Sequence, residues 1–96
     1  MKSVSIVMPM FNESESILAS LARIEKAVDG LPYEFEVVAV NDGSQDDTLQ
    51  KLQQYKPVKL CLRIIDLSRN FGKEAALTAG MEYARGDAVI PMDADL

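Results

Sequence analysis

The chain has 96 residues, 48% of them hydrophobic and 26% charged, which is typical of one small globular domain or part of one and disfavours a disordered or fibrous protein. The formal net charge of −5 disfavours nucleic acid or an anionic membrane surface as the main partner, because phosphate-binding surfaces are usually basic. One cysteine and no histidine exclude a disulfide framework, His/Cys zinc sites and His-activated nucleophiles. We expect Cys61, which lies in an apolar run, to be a buried structural thiol.

The amino-terminal apolar run predicts neither export nor membrane insertion. Pro9 and Asn12 interrupt "MKSVSIVMPMFNE" before a signal-peptide core is complete. No stretch approaches the ~20 apolar residues of a membrane span. We therefore expect a cytoplasmic chain.

The first half of the chain alternates apolar runs with helical patterns. Residues 3–9 predict a strand, and the following helix is predicted by apolar residues at spacings of four, three and four, namely Ile17, Leu21, Ile24 and Val28. We expect "NESE" (12–15) to cap this helix with a capping residue and an acid three places later. A second strand is predicted over 34–40 and a short helix over about 47–55.

The second half repeats the pattern. A strand is predicted over 59–67, a helix over about 73–85 and a last strand over 87–92. We expect Gly86 to close the helix as a left-handed cap. A stripe of small residues should let this helix pack close to a sheet: Ala76, Gly80 and Ala84.

The alternation of strand and helix predicts an α/β fold with a mostly parallel sheet and helices on both faces. The strands, rich in Val, Ile and Leu, should be buried on both faces. In such sheets ligands bind beyond the carboxyl ends of the strands, where the strand order reverses. The segments that follow the strands should therefore carry the function.

Acidic residues are concentrated in those segments: Glu13, Asp42, Asp46, Asp47, Asp93 and Asp95. Asp46 and Asp47 are plausible helix caps, and Glu13 could complete a capping box. Asp42, in the turn sequence "NDGS", is either a turn former or an acceptor for the ring N–H groups of a nucleotide base.

The "DAD" sequence after the last strand favours a metal site. Asp93 and Asp95 would face the same way if strand geometry continued, since side chains alternate along a strand. Two like-facing carboxylates repel unless a cation lies beside them, and oxygen ligands suit Mg²⁺ or Mn²⁺ with a diphosphate completing the shell. The alternative is an exposed acidic loop.

Other phosphate-binding motifs are absent from the sequence. Neither a P-loop nor a GxGxxG sequence occurs, which disfavours a P-loop nucleotidase and a dinucleotide dehydrogenase. The segment "NFGKE" instead places Lys73 at a helix start, where it could contact a phosphate or remain a solvated surface residue. Arg69 is similarly placed.

Four motifs in order, "IVMPMFNESESI", "VVAVNDGSQDDT", "DLSRNFGKEAALTAGMEYARGD" and "VIPMDADL", resemble those of the family 2 glycosyltransferases of the GT-A fold. The resemblance covers essentially the whole chain. It is strongest to the polyprenyl-phosphate branch, which includes dolichol-phosphate mannose synthase and the bactoprenol glucosyltransferases. It implies the Rossmann-like N-terminal half of a GT-A fold.

By this resemblance a UDP- or GDP-hexose would lie across the first two strand ends, at Pro9, Phe11, Glu13, Val40 and Asp42. Asp93 and Asp95 match the DxD motif that holds Mg²⁺ or Mn²⁺ and the sugar diphosphate, with Ala94 close to the donor and Asp95 as the catalytic carboxylate. Phe11 replaces a Tyr common in the family, so stacking on the base remains but a hydroxyl contact does not. Asn41 replaces a common Asp.

The implied reaction is inverting transfer of the hexose to a polyprenyl phosphate at the cytoplasmic face of a membrane. The metal would neutralise charge on the leaving diphosphate. Because the acceptor phosphate is already ionised, no general base is needed.

Family members continue well beyond the DxD motif, so we expect residues 1–96 to be the N-terminal, nucleotide-binding part of a longer enzyme. This piece should be poorly active or inactive, and its open sheet edge could pair with a second copy. Two other readings remain. One is a non-catalytic nucleotide-binding or scaffold module. The other is a haloacid-dehalogenase-like phosphatase, in which, however, the DxD motif normally follows the first strand.

Overall fold

The computed structural model describes residues 2–95 and contains the predicted alternation of strands and helices. The strands are β1 (Ser3–Met10), β2 (Glu34–Asn41), β3 (Cys61–Asp66) and β4 (Ala88–Pro91). The helices are α1 (Ile17–Val28), α2 (Thr48–Gln54) and α3 (Lys73–Tyr83). None of these helices, within the described range, has the length and apolar character needed to cross a bilayer.

The four strands form one parallel sheet in the order β3-β2-β1-β4. The chain moves outward from β1 to β2 and β3 and then returns to place β4 on the other side of β1. The strand order thus reverses between β1 and β4, which is the position where open α/β sheets bind ligands.

Helices cover both faces of the sheet, as predicted. The apolar stripe of α1 and Leu52 of α2 pack on the face that carries Ile6, Met8 and Val37. On the other face, α3 packs against Val7 and Val38.

The small-residue stripe sets how close α3 approaches the sheet. A Cβ added to Gly80 would lie 2.4 Å from Cγ1 of Val7 and 2.8 Å from Cγ2 of Val40. Ala76 is fully buried beside them. A larger residue at Gly80 would lift α3, whose first residue faces the candidate site.

Burial differs from the prediction at the edges of the sheet. β1 and β2 are buried on both faces, but β3 is only half-buried over most of its length and every residue of β4 is exposed. The expectation of a buried Cys61 is wrong, because this residue begins the edge strand β3 and its thiol is exposed. An apolar run identifies a strand but not whether anything covers it.

Two predicted helix caps are also wrong. Ser16 is the N-cap of α1 and makes no capping side-chain hydrogen bond, so "NESE" forms no capping box. Helix α3 ends at Ala84 with extended backbone, and Gly86 does not adopt positive φ. Gly86 instead packs against β1, where a Cβ would lie 2.6 Å from the amide nitrogen of Ser5.

Candidate functional site

The segments that follow all four strands enclose one cavity of about 470 Å³ at the carboxyl end of the sheet. It lies at the reversal of strand order between β1 and β4. The residues that line it are Pro9, Met10, Phe11, Glu13, Asp42, Asn70, Gly72, Lys73, Asp93, Ala94 and Asp95.

The carboxylate of Asp42 joins the β2 end to the loop after β3. Asp42 is only 3% exposed. Its Oδ1 accepts a hydrogen bond from the amide of Phe71 at 2.8 Å, and its Oδ2 accepts bonds from the amide of Gly72 at 3.0 Å and from Nδ2 of Asn70 at 3.2 Å. These hydrogen bonds stabilise the carboxylate group, whose burial without partners would cost free energy. Asp42 therefore organises this wall of the cavity.

A close approach at Gly43 brings the two loops together. Gly43 has φ +70, and a Cβ on it would lie 2.3 Å from the amide nitrogen of Asn70 and 2.4 Å from the carbonyl carbon of Arg69. Glycine is required here both for the positive φ and for the missing Cβ. The "NDG" turn thus allows the hydrogen bonds of Asp42 to form.

The loop after β1 is held by the loop after β2. Asn12, with φ 54, accepts a hydrogen bond from the amide of Gln45 at 2.8 Å, and its own amide donates to Oγ of Ser44 at 2.9 Å. The amide of Glu13 donates to Oγ1 of Thr48 at 3.0 Å. These bonds fix the backbone that presents Phe11 and Glu13 to the cavity.

The N-cap of α2 is Asp47, which makes no side-chain capping hydrogen bond. Asp46, the residue before the N-cap, bonds the start of the helix instead and does not line the cavity. Its Oδ1 accepts a hydrogen bond from the amide of Thr48, the first residue of α2, at 3.0 Å. Burial alone would raise the pKa of Asp46, but hydrogen bonds from Thr48 and from the amide of Ser14 outweigh it and lower the pKa. Asp47 accepts a bond from the hydroxyl of Ser14. Both acids are therefore structural.

The segment after β4 places two exposed carboxylates around a buried alanine. Ala94 is 3% exposed, and its carbonyl accepts a hydrogen bond from Oγ of Ser20 in α1 at 2.6 Å. Asp93 and Asp95 both line the cavity. Strand β4 ends at Pro91, so strand alternation does not continue through these residues; the anchoring of Ala94 to α1 presents the two acids to one space.

Lys73, the first residue of α3, reaches across to these acids. Its Nζ lies 2.6 Å from Oδ1 of Asp93, and the two side chains are 69% and 64% exposed. The hydrogen bond and charge of Asp93, with a smaller contribution from the charge of Asp95, raise the pKa of Lys73. The lysine stays charged at neutral pH.

The donor atoms in the cavity fit a hard divalent cation. Asp93 and Asp95 supply carboxylate oxygens, the ligands that Mg²⁺ and Mn²⁺ prefer. Residues 2–95 contain no cluster of three or more His, Cys, Asp or Glu side chains that could hold a metal by themselves. A Mg²⁺ ion usually binds one or two protein carboxylates and completes its shell with water and phosphate oxygens.

Eight of the nine residues predicted from the sequence line the cavity, and Val40 does not. Its side chain is fully buried beneath α3. Sequence reasoning missed Met10, Asn70 and Gly72. Asn70 and Gly72 belong to the same segment after β3 as Lys73, so their place in that segment is the signal that could have identified them. Arg69 lies outside the cavity, with its guanidinium 4.5 Å from the centre of the Phe71 ring.

Comparison with known proteins shows the family. The sequence profile of Glycosyl transferase family 2 matches residues 5–96, nearly the whole chain. The chain belongs to this family. Among curated family members, the undecaprenyl-phosphate 4-deoxy-4-formamido-L-arabinose transferase of Pseudomonas savastanoi pv. phaseolicola is 45% identical over 97 residues, covering 99% of this chain and 28% of the relative. The chain spans only about 28–30% of the length of the curated relatives it matches.

Solved glycosyltransferase structures share the fold. S. aureus TarS in complex with UDP-GlcNAc matches with a TM-score of 0.85 and 34% identity over 99% of this chain and 27% of that one. The mannosyltransferase PcManGT from Pyrobaculum calidifontis, in complex with GDP-Man and Mn²⁺, matches with a TM-score of 0.83 and 28% identity over 96% of this chain and 27% of that one. The α/β, GT-A-type fold expected from the sequence is confirmed.

Proposed function

We propose that residues 1–96 are the nucleotide-sugar-binding part of a longer, metal-dependent, inverting glycosyltransferase that transfers a hexose from UDP or GDP to a polyprenyl phosphate. The observation that carries the proposal is the convergence of all four strand ends on one cavity that contains two exposed carboxylates and a lysine. Family 2 membership, and likeness to proteins solved with UDP-GlcNAc or with GDP-Man and Mn²⁺, support it.

The nucleoside would lie on the β1 and β2 side of the cavity. Phe11 is 43% exposed there and can stack on a base, with Pro9 beside it. Oδ1 of Asp42 accepts one hydrogen bond within the protein, so a lone pair remains for the ring N–H of uracil or guanine. Glu13 would contact the ribose. Val40, from its buried position beneath α3, would support this wall of the cavity.

The diphosphate would lie on the β4 side. Asp93 and Asp95 would hold Mg²⁺ or Mn²⁺, with Ala94 next to the sugar and Lys73 close to a phosphate. The bound metal would supply positive charge that stabilises the leaving nucleoside diphosphate. Asp95 is assigned the catalytic role from its match to the DxD motif, and it lines the cavity.

The acceptor assignment rests on the relative named for undecaprenyl phosphate. An acceptor phosphate is ionised at neutral pH and can attack without a general base, which agrees with a chain that contains no histidine. The site would then work at the cytoplasmic face of a membrane, and residues beyond 96 would supply the acceptor side. The 96 residues alone should bind a donor but transfer little or no sugar.

Calorimetry of UDP and GDP binding tests the proposal. With Mn²⁺ present, we expect one of the two nucleotides to bind wild-type protein. Asp95→Ala should weaken this binding at least tenfold and remove its dependence on Mn²⁺, because the metal loses a ligand. Glu82→Ala, which removes an exposed acid on α3 outside the cavity, is the matched control and should leave binding unchanged.

Two results would contradict the proposal. Absence of binding of both nucleotides would remove the donor site. Nucleotide binding that Asp95→Ala leaves unaffected would instead favour a non-catalytic nucleotide-binding module.

A further inference from the structure

Lys73 lies between two cavities. It lines the main cavity and also a smaller one of about 290 Å³, between α3 and β4, whose other lining residues are Pro9, Leu77, Pro91, Met92 and Asp93. Among the described residues that line the main cavity, Lys73 is the only cation. The ammonium of Lys73 is paired with Asp93, a carboxylate that the proposed function assigns to a metal ion.

The ion pair and a metal would compete for Asp93. The ammonium donates to Oδ1 at 2.6 Å, so this oxygen is engaged in the structure described here. A divalent cation bound to the same carboxylate would also be repelled by the lysine charge at short range. Metal binding is therefore favoured when Lys73 moves away from Asp93.

Such a movement is physically inexpensive. Both side chains are more than 60% exposed, and exposed ion pairs contribute little to stability. Lysine carries its charge on a flexible four-carbon chain, so the ammonium can move several ångströms while the first turn of α3 stays fixed. A diphosphate in the cavity would give the displaced ammonium a new, more highly charged partner.

We propose that Lys73 is an exchangeable counter-ion, paired with Asp93 in the free protein and transferred to the diphosphate when metal and nucleotide bind. The inference rests on the proposed function, since it needs a metal on Asp93 and a diphosphate beside it. Without nucleotide, Lys73 opposes metal binding; with nucleotide, it supports both ligands. Metal and nucleotide should therefore bind cooperatively, and by linkage each raises the affinity of the other by the same factor.

Titration of Mn²⁺ with and without saturating UDP or GDP tests the exchange. Lys73→Met removes the charge and keeps much of the side-chain volume, so it should bind Mn²⁺ alone roughly threefold to tenfold more tightly than wild type. The factor by which nucleotide raises Mn²⁺ affinity should fall in this variant. Lys73→Arg retains the charge and should not bind Mn²⁺ alone more tightly than wild type. Lys56→Met, an exposed lysine after α2, should match wild type.

Unchanged or weaker Mn²⁺ binding by Lys73→Met would overturn the exchange. A damaged fold would weaken metal binding, so tighter binding cannot come from misfolding. If wild type binds nucleotide with Mn²⁺ but Lys73→Met shows no tighter metal binding, the exchange fails and the proposed function stands. If neither UDP nor GDP binds wild type with Mn²⁺, the proposed function fails and so does transfer of Lys73 to a diphosphate.

Discussion

At the scale of single residues, one wall of the cavity depends on the close approach at Gly43. The turn after β2 can carry Asp42 to the amides of Phe71 and Gly72 only if residue 43 has no side chain. The backbone atoms that a Cβ would meet cannot rotate away as a side chain could. The fit between these loops is thus set by backbone, and a single methyl group would separate them.

We expect Gly43→Ala to destabilise the protein by more than about 2 kcal/mol, because strain at positive φ is added to a clash with backbone. Gly30→Ala is the matched control: Gly30 has φ +85, but a Cβ there meets nothing within 4 Å. It should cost only about 1 kcal/mol. Urea denaturation gives both values. Equal losses would show that φ strain alone matters and that the loops do not constrain residue 43.

The residues that line the cavity can be predicted from the sequence in so far as they follow a strand, as Asp93, Asp95 and Lys73 do. Asn70 was not predicted, because its importance comes from a hydrogen bond to Asp42, a residue 28 positions earlier, and no local pattern records that contact. Val40 was assigned from a resemblance, and its burial beneath α3 could be seen only when the helix was placed.

At the scale of elements, Glu25 connects α1 to the segment between α2 and β3. Its Oε1 accepts a hydrogen bond from the hydroxyl of Tyr55, and its Oε2 accepts bonds from the amides of Val58 and Lys59, both at 2.8 Å. Burial alone would raise the pKa of Glu25, but the hydrogen bonds from Tyr55, Lys59 and Val58 outweigh it and lower the pKa. Burial and the Glu25 charge raise the pKa of Tyr55 to about 12.

These pKa shifts predict how stability depends on pH. A lowered carboxyl pKa contributes stability that is present above the unfolded value of 4.5 and is lost as the pH falls through the folded value. The raised pKa of Tyr55 contributes stability that is complete below 10 and is lost as the pH rises toward about 12. Loss of the hydrogen bonds to the Glu25 carboxylate in Glu25→Gln should cost about 1–2 kcal/mol at pH 7. The cost should be smaller at pH 3, below the unfolded pKa of 4.5.

Chemical denaturation at pH 7 and pH 3 measures this difference. Tyr55→Phe is the matched variant, since it removes the hydroxyl donor and keeps the ring and the bonds from the amides of Val58 and Lys59. It should cost less than Glu25→Gln. A cost for Glu25→Gln that is the same at both pH values would show that the charge of Glu25 does not carry the connection.

The helices and strands themselves were predicted to within about two residues at most ends. Apolar periodicity fixes α1 because Ile17, Leu21 and Ile24 are all buried. The predicted capping box of α1 does not form. Several polar residues precede this helix, and the side chains of Asn12 and Ser14, which could have capped it, contact the neighbouring loop instead. Boundaries thus depend on contacts between elements that local sequence does not contain.

At the scale of the whole molecule, the order of strands determines where the site lies. The alternation of strand and helix predicted a parallel sheet, but four strands can be ordered in several ways and no local pattern selects β3-β2-β1-β4. That order puts β4 beside β1 and so brings Asp93 into the same cavity as Phe11. The fold class predicts that the strand-end motifs converge. Which motifs face each other across the cavity can be seen only in the structure.

The same order leaves β4 at an edge with apolar side chains exposed. Within the described residues β4 pairs only with β1, and Val89 and Ile90 are 36% and 46% exposed. An exposed apolar edge strand is a template for pairing with another chain. We therefore expect the 96-residue protein to self-associate as its concentration rises, through β4, with the second copy extending the sheet.

Sedimentation velocity over a concentration series tests this expectation. Ile90→Lys should shift the protein toward monomer, because edge lysines oppose strand pairing and a charge would be buried in the interface. Val58→Lys makes the same kind of change at an apolar residue that is 81% exposed and lies outside the sheet, so its association should match wild type. A wild-type protein that stays monomeric across the series, or an association that both variants weaken equally, would show that β4 is not the pairing edge.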